Sequence, residues 1–184
     1  NNLGVLDHLS GNYKESYFWF KKALNQSRMT ASLRGEAFTL ASLGDLAADL
    51  GAVEQASDYY SKSNEISQQI DENFLKSYLM ISSASLEIRK RKFKKAQALL
   101  DTMGSDINDA SELVRGWYYQ EVGKLNLNLG QLDRSQRAFI TSQEIFRNIG
   151  MPVEFSESKL YQLIVHSQKE KGTKNHQKSD QIDR

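Results

Sequence analysis

Three observations predict an all-α fold. The only proline is Pro152, and a proline inside a helix costs about 3 kcal/mol, so helices can run freely through everything before it. β-branched residues are sparse, whereas Ala, Leu, Lys, Gln, Glu and Ser abound. The chain also repeats itself. Windows laid on one another at offsets of 40, 40 and 39 residues share five columns.

The first column is small: Gly4, Gly44, Ala84 and Gly123. The second marks a turn and reads Gly11, Gly51, Arg91 and Gly130. The third holds Tyr13, Val53, Phe93 and Leu132, the fourth Ser16, Ala56, Ala96 and Ser135, and the fifth Phe20, Tyr60, Leu100 and Phe139. Two antiparallel helices approach closely where both offer small side chains, which accounts for the first and fourth columns. The turn column favours Gly because a helix end often needs one residue at positive φ, at a cost of about 1–2 kcal/mol for a residue with a Cβ. The third and fifth columns lie seven residues apart on one helical face and are expected to fill the groove to the next helix. Arg91 breaks the turn rule, so a looser or differently shaped turn is expected there.

These columns resemble the tetratricopeptide repeat (TPR) family, whose pattern is W-x2-L-G-x2-Y, then A-x3-F, then P, over 34 residues. The string L/VGxxxxxxGxxxxA/SxxxF/Y stands in three of the four windows, and the resemblance covers roughly residues 3–170. The chain departs from the pattern in its Tyr column (Asp7, Ala47, Glu87, Asn126), in lacking the closing Pro, and in a period near 40 that lengthens each helix by close to one turn. Such long repeats are similar to those of bacterial signalling regulators and peptide-sensing proteins, as is the style of SQEIFRNIGMPVEFSESKLYQLIV. The resemblance implies a right-handed α-solenoid of antiparallel helix pairs, about four and a half repeats with the first truncated, over residues 1–171.

In order, a first helix is expected to end near Ser10. Helix pairs follow at roughly 13–28 with 31–50, 53–69 with 72–90, 93–103 with 109–129, and 132–148 with 153–170. Gly104 is expected to cut the sixth helix short, and an Asp or Asn of MGSDIND to cap the seventh. Pro152 suits the first turn of the last helix. Residues 172–184 contain one apolar side chain, Ile182, too little to offset an ordering entropy of about 1–2 kcal/mol per residue; a disordered tail is expected.

The 24 basic and 23 acidic side chains nearly cancel, so net charge makes no case for nucleic acid or an anionic membrane. The absence of cysteine excludes disulfides and thiolate metal sites and is compatible with a reducing compartment; a cytoplasmic protein is expected. No apolar run reaches the roughly 18 residues of a membrane span. The sequence starts inside a motif and without Met, which reads as a segment of a longer regulatory or signalling protein.

No nucleophile elbow, P-loop, dinucleotide fingerprint or metal-ligand spacing of histidines occurs, so neither an enzyme nor a cofactor is expected. Binding is expected instead. The TPR register places Phe38, Tyr78 and Trp117 at one position of successive groove helices, with Asp45, Ile81, Ser85, Gln120 and Lys124 beside them, as the contacts for a peptide, helix or partner domain. The carboxylate-clamp set of Lys and Asn known in the family is missing: Ala41, Asp45, Ser82, Trp117 and Glu121 stand there. A second expectation is oligomerisation through exposed solenoid ends, where VLDHL and the helix from Tyr13 lack a cover. A third, weaker one is anion or nucleic-acid contact through Arg89, Lys90, Arg91, Lys92, Lys94 and Lys95.

Overall fold

The computed structural model describes the backbone of residues 1–182 and the side chains through residue 171. Every regular element among them is helical. The elements are α1 (Asn2–Leu9), α2 (Tyr13–Met29), α3 (Leu33–Asp49), α4 (Val53–Gln69), α5 (Asn73–Arg89), α6 (Phe93–Gly104), α7 (Glu112–Asn128), α8 (Leu132–Asn148) and α9 (Pro152–Ile182), with a 3₁₀ turn at Ile107–Asp109. The array expected over residues 1–171 falls into two compact units, residues 1–90 and residues from 91 on. The tail expectation for 172–184 concerns residues whose side chains lie outside the described range.

The beat of the chain is half the sequence period. Left-handed residues occur at Gly11, Ala31, Gly51, Asp71 and Arg91, each 20 after the last, and again at Gly130 and Gly150. Helices α2, α3, α4, α5, α7 and α8 are each 17 residues long, so a helix and a three-residue turn make one unit. The turns are stapled alike. At the first, Gly11 N–H donates to His8 O at 3.0 Å and Asn12 N–H to Asp7 O at 2.8 Å. The same two bonds recur around Ala31, Gly51, Gly130 and Gly150, closing the carbonyls that a helix end leaves open.

Two expectations are corrected here. Arg91 sits at φ 57°, close to the glycines, so its turn keeps the common backbone conformation and carries the Cβ strain instead. The seventh helix is capped by Ser111, whose hydroxyl accepts from Val114 N–H at 3.4 Å, and not by an Asp or Asn of MGSDIND. As expected, α6 ends at Gly104 and is only 12 residues long.

Within the units, α1 pairs with α2, α3 with α4 and α7 with α8 as hairpins. The fifth-column rings Phe20, Tyr60 and Phe139 lie on the first column of their own hairpins, and Phe139 also stacks on Tyr161 of the next helix, α9, at 5.0 Å. A Cβ built on Gly4 would stand 2.5 Å from the Phe20 ring, on Gly44 2.4 Å from Tyr60, on Gly123 2.6 Å from Phe139, and on Gly116 2.6 Å from Phe146. Glycine is needed there because the ring occupies the space of its missing side chain. Buried serines lock the same seams. Ser16 Oγ donates to Gly4 O at 2.8 Å, Ser63 to Ala37 O at 2.8 Å, Ser135 to Gly123 O at 2.9 Å and Ser142 to Gly116 O at 3.0 Å. Unit 1 adds the leucines Leu40, Leu43, Leu46, Leu75 and Leu79 to its core, and unit 2 adds Val114, Leu125 and Val165. Burying each such side chain contributes about 1.5–3 kcal/mol.

The turns generate a clean prediction. A Cβ on Gly51 meets nothing within 4 Å, so backbone strain alone sets its cost. Gly51→Ala is expected to lower unfolding stability by about 1–2 kcal/mol. Ala31→Gly is expected to raise it by roughly 0.5–1 kcal/mol, relief of strain exceeding the added chain entropy. Urea midpoints at unchanged m measure both.

Candidate functional site

In unit 1, the N-terminus of α1 and the facing sides of α2 and α3 enclose an open cleft of about 590 Å³. Its walls include Asn2, Gln26, Ser27, Arg34, Phe38 and Thr39. Phe38, expected in a groove, is half-buried here, with the Arg34 guanidinium 5.0 Å over its ring. Arg34 is held by Glu72, Nε to Oε2 at 2.8 Å. A second hollow of about 430 Å³ adjoins it, sharing Asn1, Asn2, Ala23 and Gln26 and adding Trp19 and Lys22. Lys22 lies 5.2 Å over the Trp19 ring. The cleft therefore combines side-chain amides, which both donate and accept, with two aromatic surfaces backed by cations.

Asp45 and Tyr78, also expected in the groove, are turned to each other. Tyr78 Oη donates to Asp45 Oδ2 at 2.7 Å, and Tyr60 Oη donates to Asp45 Oδ1 at 2.9 Å. Burial pushes the Asp45 carboxyl above its ordinary pKa, outweighing the opposing effect of the two phenol donors and of His8. Burial, with the nearby Asp45 charge, also raises Tyr78 and Tyr60, so both stay protonated. His8 faces Asp49, Nε2 to Oδ2 at 3.0 Å. Ser85 is half-buried, and Ile81 is buried in the core, which removes Ile81 from a solvent-facing contact surface.

In unit 2, Trp117 is half-buried. Gln120 is buried rather than open to a ligand, its Nε2 3.4 Å from Ser158 Oγ, which in turn lies 3.0 Å from Ser142 Oγ. Lys124 bridges two carboxylates, Glu121 at 2.8 Å and Glu157 at 3.0 Å, and sits 5.3 Å over the Tyr161 ring. Burial alone would lower the Lys124 pKa, but the two carboxylates raise it above its ordinary value. Glu121 Oε2 is buried without a hydrogen-bond partner among the described residues.

The basic run is divided. Arg89 Nη1 donates to Ala48 O at 2.8 Å and Nη2 lies 3.6 Å from Asp49, while Lys90 reaches Glu87 at 3.5 Å and Glu54 at 3.8 Å. These two cations are spent within unit 1. In unit 2, Arg91 lies 5.9 Å over the Phe93 ring, and Lys92, Lys94 and Lys95 are exposed. Among the described residues no group of three or more His, Asp or Glu side chains is placed to hold a metal. Nor is any described helix long and apolar enough to cross a membrane.

Sequence reasoning missed Asn2, Gln26 and Arg34. They occupy no repeat column, and only the meeting of α1, α2 and α3 brings them together. The Glu121–Lys124 pair was visible as an i, i+3 spacing, but Glu157 and Tyr161 join it through the fold.

Neither a protein-family model nor a curated protein sequence matches this chain. Among solved structures, BtubC (BKLC) from P. vanneervenii is similar at a TM-score of 0.66, covering 90% of this chain and 69% of that one at 19% identity. At that identity the likeness is one of fold, and it agrees with an all-helical repeat architecture.

The buried carboxyl predicts a pH signature. Because Asp45 binds its proton more tightly folded than unfolded, its contribution is present below its ordinary pKa and is lost as pH rises through the raised folded value. Asp45→Asn is therefore expected to gain stability relative to the wild type on going from about pH 4 to about pH 7. Denaturant curves at the two pH values measure it; a relative loss at the higher pH contradicts the assignment.

Proposed function

We propose that this chain is a non-catalytic protein-interaction scaffold, a TPR-like repeat module of a larger bacterial regulatory or signalling protein acting in the cytoplasm. Its ligand is an extended peptide of a partner protein. The observation that carries this reading is the cleft of unit 1, where Phe38 is surrounded by Asn2, Gln26 and Arg34. Its volume of about 590 Å³ suits a few residues of extended chain. Asn and Gln amides match the donors and acceptors of a peptide backbone, and Phe38 and Trp19 offer flat surfaces to its side chains. TPR-like hairpins supply the rigid walls, and the repeat columns of the sequence support that kinship.

Self-association is the second reading, favoured by the apolar side chains left open on α1 and α2: Leu6, Leu9, Tyr13 and Tyr17 are 62%, 82%, 40% and 45% exposed. The basic run favours nucleic acid less, since Arg89 and Lys90 are engaged by Asp49, Glu54 and Glu87.

A peptide selected from a random display library against the protein, titrated while following Trp19 emission, tests the cleft. Phe38→Ala is expected to weaken such a peptide by about 2 kcal/mol, or roughly 30-fold, with helicity retained. Gln26→Ala is expected to weaken it less. Unchanged affinity in both variants contradicts the cleft as the site.

A further inference from the structure

The turn between α8 and α9 encloses an apolar hollow of about 350 Å³, lined by Phe146, Arg147, Gly150, Met151, Pro152 and Phe155. Its floor is rigid. Phe146 is fully buried and wedged against α7, where a Cβ on Gly116 would stand 2.6 Å from its ring. Met151 and Phe155 are half-buried. Arg147 is the one charged side chain of the lining; it is exposed, and its guanidinium lies 5.2 Å over the Phe155 ring. Among the described residues no carboxylate stands within ion-pair distance of it.

Unit 1 contains the same turn between α2 and α3, and there the arginine has a partner. Counted from the helix ends, Arg28 stands in the place of Arg147 and Glu36 in the place of Phe155. The backbones match: Ala31 and Gly150 are both left-handed, Ala31 N–H donates to Arg28 O at 3.2 Å, and Gly150 N–H donates to Arg147 O at 3.3 Å. Arg28 Nε donates to Glu36 Oε1 at 2.7 Å. Ser27 and Ser32 stand where Phe146 and Met151 stand. The α8–α9 turn thus keeps the arginine, lacks its carboxylate and replaces three polar side chains by apolar ones. The backbone does not require this, since the α4–α5 turn carries Ser67, Glu72 and Lys76 at those three positions. Nor does a following repeat cover such a turn. α4 and α5 follow α3 in unit 1, yet the Arg28 side chain is 54% exposed and Ala31 and Ser32 are exposed.

We infer that this hollow binds a small apolar carboxylic acid, its carboxylate on Arg147 and its apolar body on Phe146, Met151 and Phe155. The carboxylate replaces the partner that Glu36 supplies to Arg28, and a guanidinium fork holds such a group by paired, charge-assisted hydrogen bonds. A volume of about 350 Å³ lies at the small end of small-molecule sites, roughly 300–1,000 Å³, and suits one ring with a short chain. A peptide segment fits less well, because Arg147 is the one strong side-chain hydrogen-bonding group that the lining offers to its backbone amides. No residue of the unit 1 cleft takes part, so this site stands or falls apart from peptide binding there.

Titration of 3-phenylpropionate into ¹⁵N-labelled protein tests the site. The amide signals of Gly150, Met151 and Phe155 are expected to shift saturably, with a dissociation constant on the order of millimolar. The uncharged 3-phenylpropionamide is expected to bind roughly fivefold more weakly. Arg147→Gln, at an exposed position, is expected to keep wild-type circular dichroism and to erase the difference between acid and amide. Phe155→Glu, which supplies Arg147 with the carboxylate that Arg28 has, is expected to abolish binding of the acid. The capped dipeptide N-acetyl-Glu-Phe-amide carries the same two groups on a peptide and is expected to bind more weakly than the free acid. Absence of saturable shifts at these amides up to about 20 mM acid overturns the inference. Equal binding of acid and amide by the wild type, or a preference for the acid that survives Arg147→Gln, overturns it too. Tighter binding of the dipeptide overturns the assignment to a small acid and gives the hollow to a segment of a partner protein.

Discussion

The structure depends on an aromatic ring lying against a helix backbone that has no side chain at that point. Phe20, Tyr60 and Phe139 occupy the volumes that Cβ atoms on Gly4, Gly44 and Gly123 would need. Glycine inside a helix costs about 1 kcal/mol relative to alanine. The hairpin recovers that through a fully buried ring and through a helix separation short enough for serine hydroxyls to reach carbonyls across the seam. Where the ring is matched by glycine, the two helices are fixed in rotation and in register. Cleft, carboxyl network and outer helix faces all inherit their geometry from that fixing.

Much of this was legible. Glycines at intervals near 40 located the hairpins, and helix boundaries followed from turns and from the single proline. The 20-residue beat was hidden because Ala31 and Asp71, at the turns between hairpins, do not look like left-handed residues. Ala31 is held there by the paired carbonyl bonds around it, and the turn at Asp71 keeps one of the pair, Glu72 N–H to Ser67 O. Arg91 shows the same override of local preference. Serines at 16 and 135 were visible as small residues, but their hydroxyl bonds become apparent only once the opposing carbonyl is in place.

The expected groove residues divide along the same line. Phe38 lines a cleft, whereas Asp45 and Tyr78 satisfy one another and Gln120 and Lys124 have buried or ionic partners within unit 2. Family register locates a residue on a helix, but its availability depends on longer-range partners such as Tyr60, Ser158 and Glu157.

A double-mutant cycle on Gly123 and Phe139 tests the governing contact most directly. Gly123→Ala alone is expected to destabilise by about 1–3 kcal/mol through overpacking against the ring. Combined with Phe139→Leu, which removes that ring, the same change is expected to cost far less, a coupling of about 0.5–3 kcal/mol. Additive losses, agreeing within about 0.5 kcal/mol, would show that ring and backbone do not share one space and would contradict the account.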